Sequence, residues 1–417
     1  MAGLSQLFPM RTAFVLFSCV AGFLLATAAP AQPSSEIVVM VDNKATPIDI
    51  AVTGGDLQLV NLARLAFNAH GRYRLVGAGS SPKYTLNFTL VAPNQVQVDI
   101  TGNLLHSSLI APGADKSDAL LRAADAAVKA TSHLKGFFAS KLAFVGKRGG
   151  VTEIYTSNLF VTDKVLGVTS DRKQLMFPRW SPNGADIIYT SLKTGAPDVV
   201  LIDLAPPYHR TNIASFKGTN GDARFSPDGR HIAMVLSGEG STEIYVSDAR
   251  GGGIARKTHS PEAKSSPCFS PDSTEIIFAM ETGPHLYRMP VAGGTPQLLS
   301  TGLSYNYYAE PDWSRGDPGK IAFTVGVGGN HYQVFAGKLN GQEITDAKRV
   351  SEKVGSQDAQ EPVWLADGRH LVCTAKLTGD RSSLWLVDTE TLKATQLTRP
   401  DGPNGFGACS EASVLDP

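Results

Sequence analysis

From residue 142 onward, short apolar runs alternate with polar, glycine-containing segments. The runs at 142–145, 186–190, 231–235, 275–279, 320–324 and 370–374 are rich in Ile, Val, Phe and Tyr. They are too short for helices and read as strands. A second run follows each, at 153–156, 198–201, 243–246, 285–288, 333–336 and 383–386. Weaker stretches, such as the one at 295–299, complete a group of four. Five of the first runs are preceded by a common phrase: Trp180-Ser181-Pro182-Asn183-Gly184, Phe225-Ser226-Pro227-Asp228-Gly229, Phe269-Ser270-Pro271-Asp272-Ser273, Trp313-Ser314-Arg315-Gly316-Asp317 and Trp364-Leu365-Ala366-Asp367-Gly368. Its aromatic residues are 45, 44, 44 and 51 positions apart, and a degenerate sixth copy is expected at Cys409-Ser410-Glu411.

The phrase is a turn: Pro fixes φ, Asp or Asn bonds its own backbone, and Gly accepts positive φ. Four short strands per repeat cannot bury both faces, so the units must stack radially. The expected fold class is mainly β, a six-bladed β-propeller preceded by a small α/β domain. The first repeat lacks its inner strand, while an unpaired strand remains at 406–410. That strand is expected to close the ring and remove its open edge.

Residues 33–140 lack the repeat. Strands are expected at 36–41 and 48–52, and a helix from Leu57 through Val60, Leu62, Leu65 and Ala66, ending by Gly71. A hairpin is expected from 84–90 and 95–100 across Pro93-Asn94. The alanine-rich stretch 114–134, with Leu120, Leu121, Ala124 and Val128 on one face, reads as a second helix. Ahead of this region, Arg11, an apolar run at 14–25 and Ala26-Thr27-Ala28-Ala29-Pro30-Ala31 have the parts of a secretory leader. Cleavage is expected after Ala31, with Ala28 as the alternative. The implied division is a leader at 1–31, an α/β domain at 32–140 and a propeller at 141–417.

Lys plus Arg and Asp plus Glu both number 38, so no basic field is available to neutralise phosphates. Nucleic-acid binding is not expected. Cys268, Cys373 and Cys409 survive the leader as an odd set, and the first two lie in apolar runs, which points to buried thiols. The nine histidines form no close metal-ligand spacing, and no nucleophile elbow, P-loop or dinucleotide fingerprint occurs. No cofactor or metal is expected. Asp228, Asp272 and Asp367 each belong to a separate turn. The inner strands supply Arg179, Asp222, Arg224, Glu310, Asp312 and Glu361, a mixed set at one channel that suits partner recognition as well as catalysis.

The export signal, the repeat and the join between domains together resemble the TolB family. The join runs from Leu121-Arg122-Ala123-Ala124-Asp125 to Gly136-Phe137-Phe138-Ala139-Ser140-Lys141-Leu142-Ala143-Phe144-Val145. It is similar to the family's Arg-bearing helix, Gly-x-Phe and Ile-Ala-Tyr-Val-like run. The resemblance implies a non-enzymatic periplasmic scaffold of the Tol–Pal system, supporting outer-membrane integrity and constriction at division. It implies binding of the peptidoglycan-associated lipoprotein Pal over one propeller mouth and of TolA, an inner-membrane-anchored protein, through the mature N-terminus. Family positions facing Pal match Thr219, Asn220, Gly221, Asp222, Ser265 and Ser266. Repeat equivalence adds Tyr307, Tyr308, Glu310, Gln360 and Glu361, with the two tyrosines expected as adjacent exposed anchors. Thr219 stands where the family usually shows His, and Asp222 replaces a small apolar residue. Of the family's Pro-Ile-Ala-Val-Val-Pro-Phe run, only the start is kept, at Pro47-Ile48. The alternatives are an exported polysaccharide lyase or glycosidase, which requires convergent metal ligands or two carboxylates ~5–9 Å apart, and a carbohydrate-binding propeller.

Overall fold

In the computed structural model the described residues are 46–417, apart from 78, 163–164, 239, 281–283, 401 and 403–404. The expected leader and the expected strand at 36–41 lie outside them. Six four-stranded antiparallel sheets follow one another along the chain as blades. The inner strands of blades 2 to 6 are Leu175–Trp180, Asn220–Phe225, Lys264–Phe269, Tyr308–Trp313 and Asp358–Trp364. Blade 1 is built from both ends of the repeat region. Its inner strand, Phe406–Leu415, pairs antiparallel with Lys141–Arg148, matching Leu415 to Lys141 and Cys409 to Gly146. The ring closes as the sequence implies.

The repeated phrase works mainly through its serine. Ser226 Oγ donates to Asp228 Oδ1 at 2.5 Å and accepts from the His231 N–H at 2.9 Å, while Gly229 turns the chain at φ +71°. Ser270 with Asp272, and Ser181 with Asn183, make the same bond at 2.6 and 2.7 Å. The three aspartates expected to be structural are thus occupied: Asp228 and Asp272 cap turns, and Asp367 holds the buried His370 ring at 2.6 Å.

The α/β layer has strands β1 (Ile48–Gly54), β2 (Tyr73–Leu75), β3 (Tyr84–Ala92), β4 (Gln95–Gly102) and β5 (His106–Pro112) in the order β2-β1-β3-β4-β5. Helices α1 (Leu57–Ala69) and α2 (Lys116–Ser132) are N-capped by Asp56 and Asp115, whose carboxylates accept from the first free N–H groups. β2 and β5 are additions to the sequence reading. Leu57, expected on the buried face of α1, is 69% exposed in its first turn.

The join explains its own sequence. The Asp125 carboxylate on α2 accepts from the N–H groups of Phe138 at 2.7 Å and Ala139 at 3.0 Å. Burial nevertheless raises its pKa to about 7. A Cβ on Gly136 would fall 2.3 Å from that of Asp125, so only glycine fits. The layer meets the turn end of blade 6, where His370 Nε2 donates to the His70 carbonyl at 2.8 Å. One apolar core runs from Ile50 and Phe67 through Phe137 and Phe138 to Phe144 and Val414. Lys44–Pro417 is accordingly a single compact unit.

Candidate functional site: a two-tier channel

Every inner strand carries the same irregularity. Its pairing with the second strand slips by a bulge, for example between Gly221 and Arg224, Ala309 and Asp312, and Ser410 and Ser413. Each bulge holds one residue in the left-handed region: Phe177, Asp222, Ser266, Glu310, Glu361 and Glu411, at φ between 48° and 57°. None is glycine, so each conformation carries strain that the surroundings must offset.

Much of that support comes from neighbouring blades. Asp222 Oδ2 accepts from Ser266 N–H at 2.6 Å, Glu310 Oε2 from Glu361 N–H at 2.9 Å, and Glu361 Oε2 from Glu411 N–H at 2.9 Å. The Glu411 carboxylate accepts from Phe177 N–H and thereby spans the closure of the ring. Hydroxyls extend the relay. Thr324 donates to Glu310 at 2.7 Å and accepts from Glu361 N–H; Thr374 does the same between Glu361 and Glu411. Thr190 accepts from Asp222 N–H at 3.1 Å. Burial, with the nearby Glu361 charge, raises Glu310 to about 7 and Glu411 to about 8. At neutral pH these two therefore share the arc with Glu361 as partly protonated acids.

A second tier lies two residues further along each strand, and it too reaches the next blade. Ser413 Oγ accepts from Trp180 N–H at 3.2 Å, Cys268 Sγ from Trp313 N–H at 3.3 Å, and Asp312 Oδ2 from Trp364 N–H at 2.8 Å. Asp312 Oδ1 also pairs with Arg224 Nη1 at 2.7 Å, joining blade 3 to blade 5. Cys268, Cys373 and Cys409 are buried free thiols. Burial pushes Cys373 and Cys409 up to about 12, which leaves them protonated and unreactive.

The predicted mouth residues fall into two groups. Asp222, Ser266, Glu310 and Glu361 occupy bulge positions, with Ser265 and Gln360 immediately before them. These six and Tyr307 are half-buried, and Thr219 is exposed. Asn220, Gly221 and Tyr308 are buried. The Asn220 amide donates to the carbonyls of Pro197 at 3.1 Å and Phe216 at 2.7 Å and so holds its own loop. The expectation of two adjacent exposed tyrosines is corrected. Tyr308 is 1% exposed, packs by Phe323 and His285, accepts from Tyr305 N–H and donates to the Leu303 carbonyl. Tyr307 instead meets Tyr332 edge-on, with ring centroids 5.1 Å apart.

Sequence reasoning missed Glu411 and Phe177. It placed the sixth copy of the phrase at Cys409, whereas the bulge register aligns Val414 with the aromatic residues of the other blades. The available signal was the position three residues before each aromatic, but blade 1 has no aromatic there to mark it.

Fold and channel together define the class: a closed six-bladed β-propeller with an α/β layer bonded at its turn end. The family model described as TolB beta propeller domain matches residues 129–412. The chain belongs to that family. Among its relatives, the Tol-Pal system protein TolB of Bordetella pertussis is 33% identical over 174 residues, which is 41% of this chain and 39% of that protein. The protein of the same name from Bordetella bronchiseptica matches with the same identity and coverage. The chain thus spans about two-fifths of the length of these relatives. The crystal structure of TolB from Acinetobacter baumannii superposes with a TM-score of 0.76 over 89% of this chain and 97% of that one, at 22% identity, a likeness of fold.

Proposed function

We propose that this chain, matured by cleavage after Ala31, is a non-enzymatic periplasmic scaffold of a Tol–Pal system. Its propeller mouth takes a Pal-like peptidoglycan-associated lipoprotein, and its N-terminal region takes a TolA-like inner-membrane protein. In this role it supports outer-membrane integrity and constriction at division. Family membership supports the reading, as does the naming of its relatives as Tol-Pal system proteins. The observation that carries it is the bulge ring, which gathers Asp222, Glu310 and Glu361 near the middle of the inner strands, on the side of the second tier away from the turns that meet the α/β layer. A partner seated there meets Thr219, Ser265, Ser266, Tyr307 and Gln360 around those acids. Asn220, Gly221 and Tyr308 support this surface from beneath.

The test is a calorimetric titration of residues 32–417 with the soluble domain of the cell's own Pal-like lipoprotein. Saturable one-to-one binding is expected, weakened about tenfold or more by Tyr307→Ala or Asp222→Lys, the scale of an interface anchor. Tyr308→Phe should leave the affinity unchanged. Absence of binding, or equal binding by the Asp222→Lys protein, would remove this reading of the mouth.

One observation favours the glycosidase alternative: Glu310 and Glu411 are held near neutral pKa beside Glu361, as acid–base pairs are. Burial and the nearby Glu361 charge account for the same values without a substrate, and the oxygens of these residues are already engaged by backbone N–H groups of adjacent blades. Turnover of an acidic oligosaccharide that is abolished by Glu361→Gln would decide for the enzyme.

A further inference from the structure

At its turn end, beyond the carboxylate tier, the channel narrows to a cavity of about 80 Å³. Arg179, Arg224 and Arg315 line it, with Trp180, Trp313 and Trp364 among the apolar walls. About 10–15 Å³ of such space holds one water molecule, so the cavity has room for a small ion with a few waters.

Two independent features of this wall ask for an acceptor. The first is hydrogen bonding. Arg179 Nε, Arg224 Nε, Trp180 Nε1 and Trp364 Nε1 are buried and have no acceptor among the described residues. Buried N–H groups are rarely left unpaired, and four on residues of one small cavity is a concentration that a fold does not otherwise favour. The second is charge. Arg224 is paired with Asp312 at 2.7 Å, and Arg315 with Asp416 at 3.4 Å. Arg179 bonds only main-chain carbonyls, those of Pro178 at 3.0 Å and Ala412 at 3.4 Å. Of the three guanidinium groups, Arg179 alone therefore lacks a direct carboxylate partner among the described residues. The acids of the tier above, Asp222 and Glu411, attract the Arg179 charge across space but make no hydrogen bond to it among the described residues. Asp222 and Glu411 already accept from Ser266 and Phe177 N–H groups.

We propose that this cavity is a binding site for a small oxyanion, of the size of inorganic phosphate or a single carboxylate, held by the Arg179 and Arg224 guanidinium groups. A planar guanidinium offers paired donors in the geometry such an anion accepts, and its charge shortens and strengthens the bonds. Bound there, the anion bridges blades 2 and 3, and the native state is stabilised in proportion to its occupancy.

Three of the protein's four tryptophans line the cavity, so intrinsic fluorescence reads the site directly. The full chain is titrated with inorganic phosphate and, separately, with acetate, at ionic strength held constant by a bulky sulfonate salt. A saturable fluorescence change with at least one of the two is expected, accompanied by a rise in Tm at the same concentrations. Saturation by phosphate alone assigns a tetrahedral anion, and saturation by acetate alone assigns a carboxylate. In Arg179→Gln the apparent Kd should rise about tenfold, equivalent to ~1.4 kcal/mol. Should that variant fail to fold, Arg315→Gln at the exposed rim should also weaken binding, with an unchanged circular-dichroism spectrum. No saturable change and no Tm shift with either anion would overturn the proposal. So would midpoints identical to the wild type in a folded Arg179→Gln protein.

Discussion

Blades 5, 6 and 1 carry Glu310, Glu361 and Glu411 at the channel bulge, whereas blades 2 and 4 carry Phe177 and Ser266 at the same place. The backbone does not distinguish them, since φ at all these positions lies between 52° and 57°. Their wiring does. On the first arc each glutamate reaches a backbone N–H of the following blade, and two threonine hydroxyls reinforce the contact. On the second, Phe177 brings no acceptor, and Ser266 offers only a short hydroxyl in place of a carboxylate. The bulge is therefore a property of the ring, while the residue placed on it is free to vary. Blade 3, between blades 2 and 4, keeps the wiring through Asp222, which accepts from Ser266 N–H, so the mouth carries carboxylates at four of its six bulges, three of them adjacent.

The most severe way to break this comparison is to remove blade 1's contribution to it. Deleting residues 406–417 takes away the strand paired with Lys141–Arg148, together with Glu411 and Ser413. Loss of the cooperative thermal transition is expected, measured by calorimetry. A smaller change separates the arcs. Glu361→Ala leaves the Thr374 hydroxyl without its acceptor and removes one of the two acceptors of the Glu411 N–H. It should cost about 1–3 kcal/mol in denaturant unfolding, the cost of one buried group left unpaired. Ser266→Ala at the matching bulge should stay within ~0.5 kcal/mol. Equal effects at the two positions would dissolve the distinction between arcs.

The smallest expected effect concerns protons. Glu310 and Glu411 have native pKa values of about 7 and about 8, above the ordinary 4.5, so the native state binds protons that the unfolded chain releases. Their contribution to stability is fully present below the unfolded value and is lost as pH rises through about 7 to 8. The wild type should lose stability on that alkaline side. Glu411→Gln keeps an oxygen for the Phe177 N–H and removes the titration, so its stability should vary less across the same range. A Gln variant that tracks the wild type there would show that Glu411 does not carry the effect.

How much of this was legible in the sequence depended on how local the cause was. The blades were legible because Ser226, Pro227, Asp228 and Gly229 and their equivalents build each turn from adjacent residues. Helices α1 and α2 were legible from apolar spacing. β5 was not: its exposed edge position leaves only a weak alternation, with Ile110 59% exposed. The site was half legible. Asp222, Glu310 and Glu361 were singled out by charge, but the left-handed bulge beneath them was hidden, because that conformation is usually announced by glycine or asparagine and here is held by contacts between blades. Tyr308 was misjudged for a related reason. Its burial depends on Phe323 and His285 from other strands, which no reading of neighbouring positions reveals.

The pairing of Leu415 with Lys141 also sets a timetable for synthesis. Blade 1's outer strands leave the ribosome before the other five blades, yet the strand that seals their inner edge is made only after them. Until then the ring is an open arc with one unprotected edge at each end, the kind of surface that pairs with other chains. Closure across so much sequence is intrinsically slow.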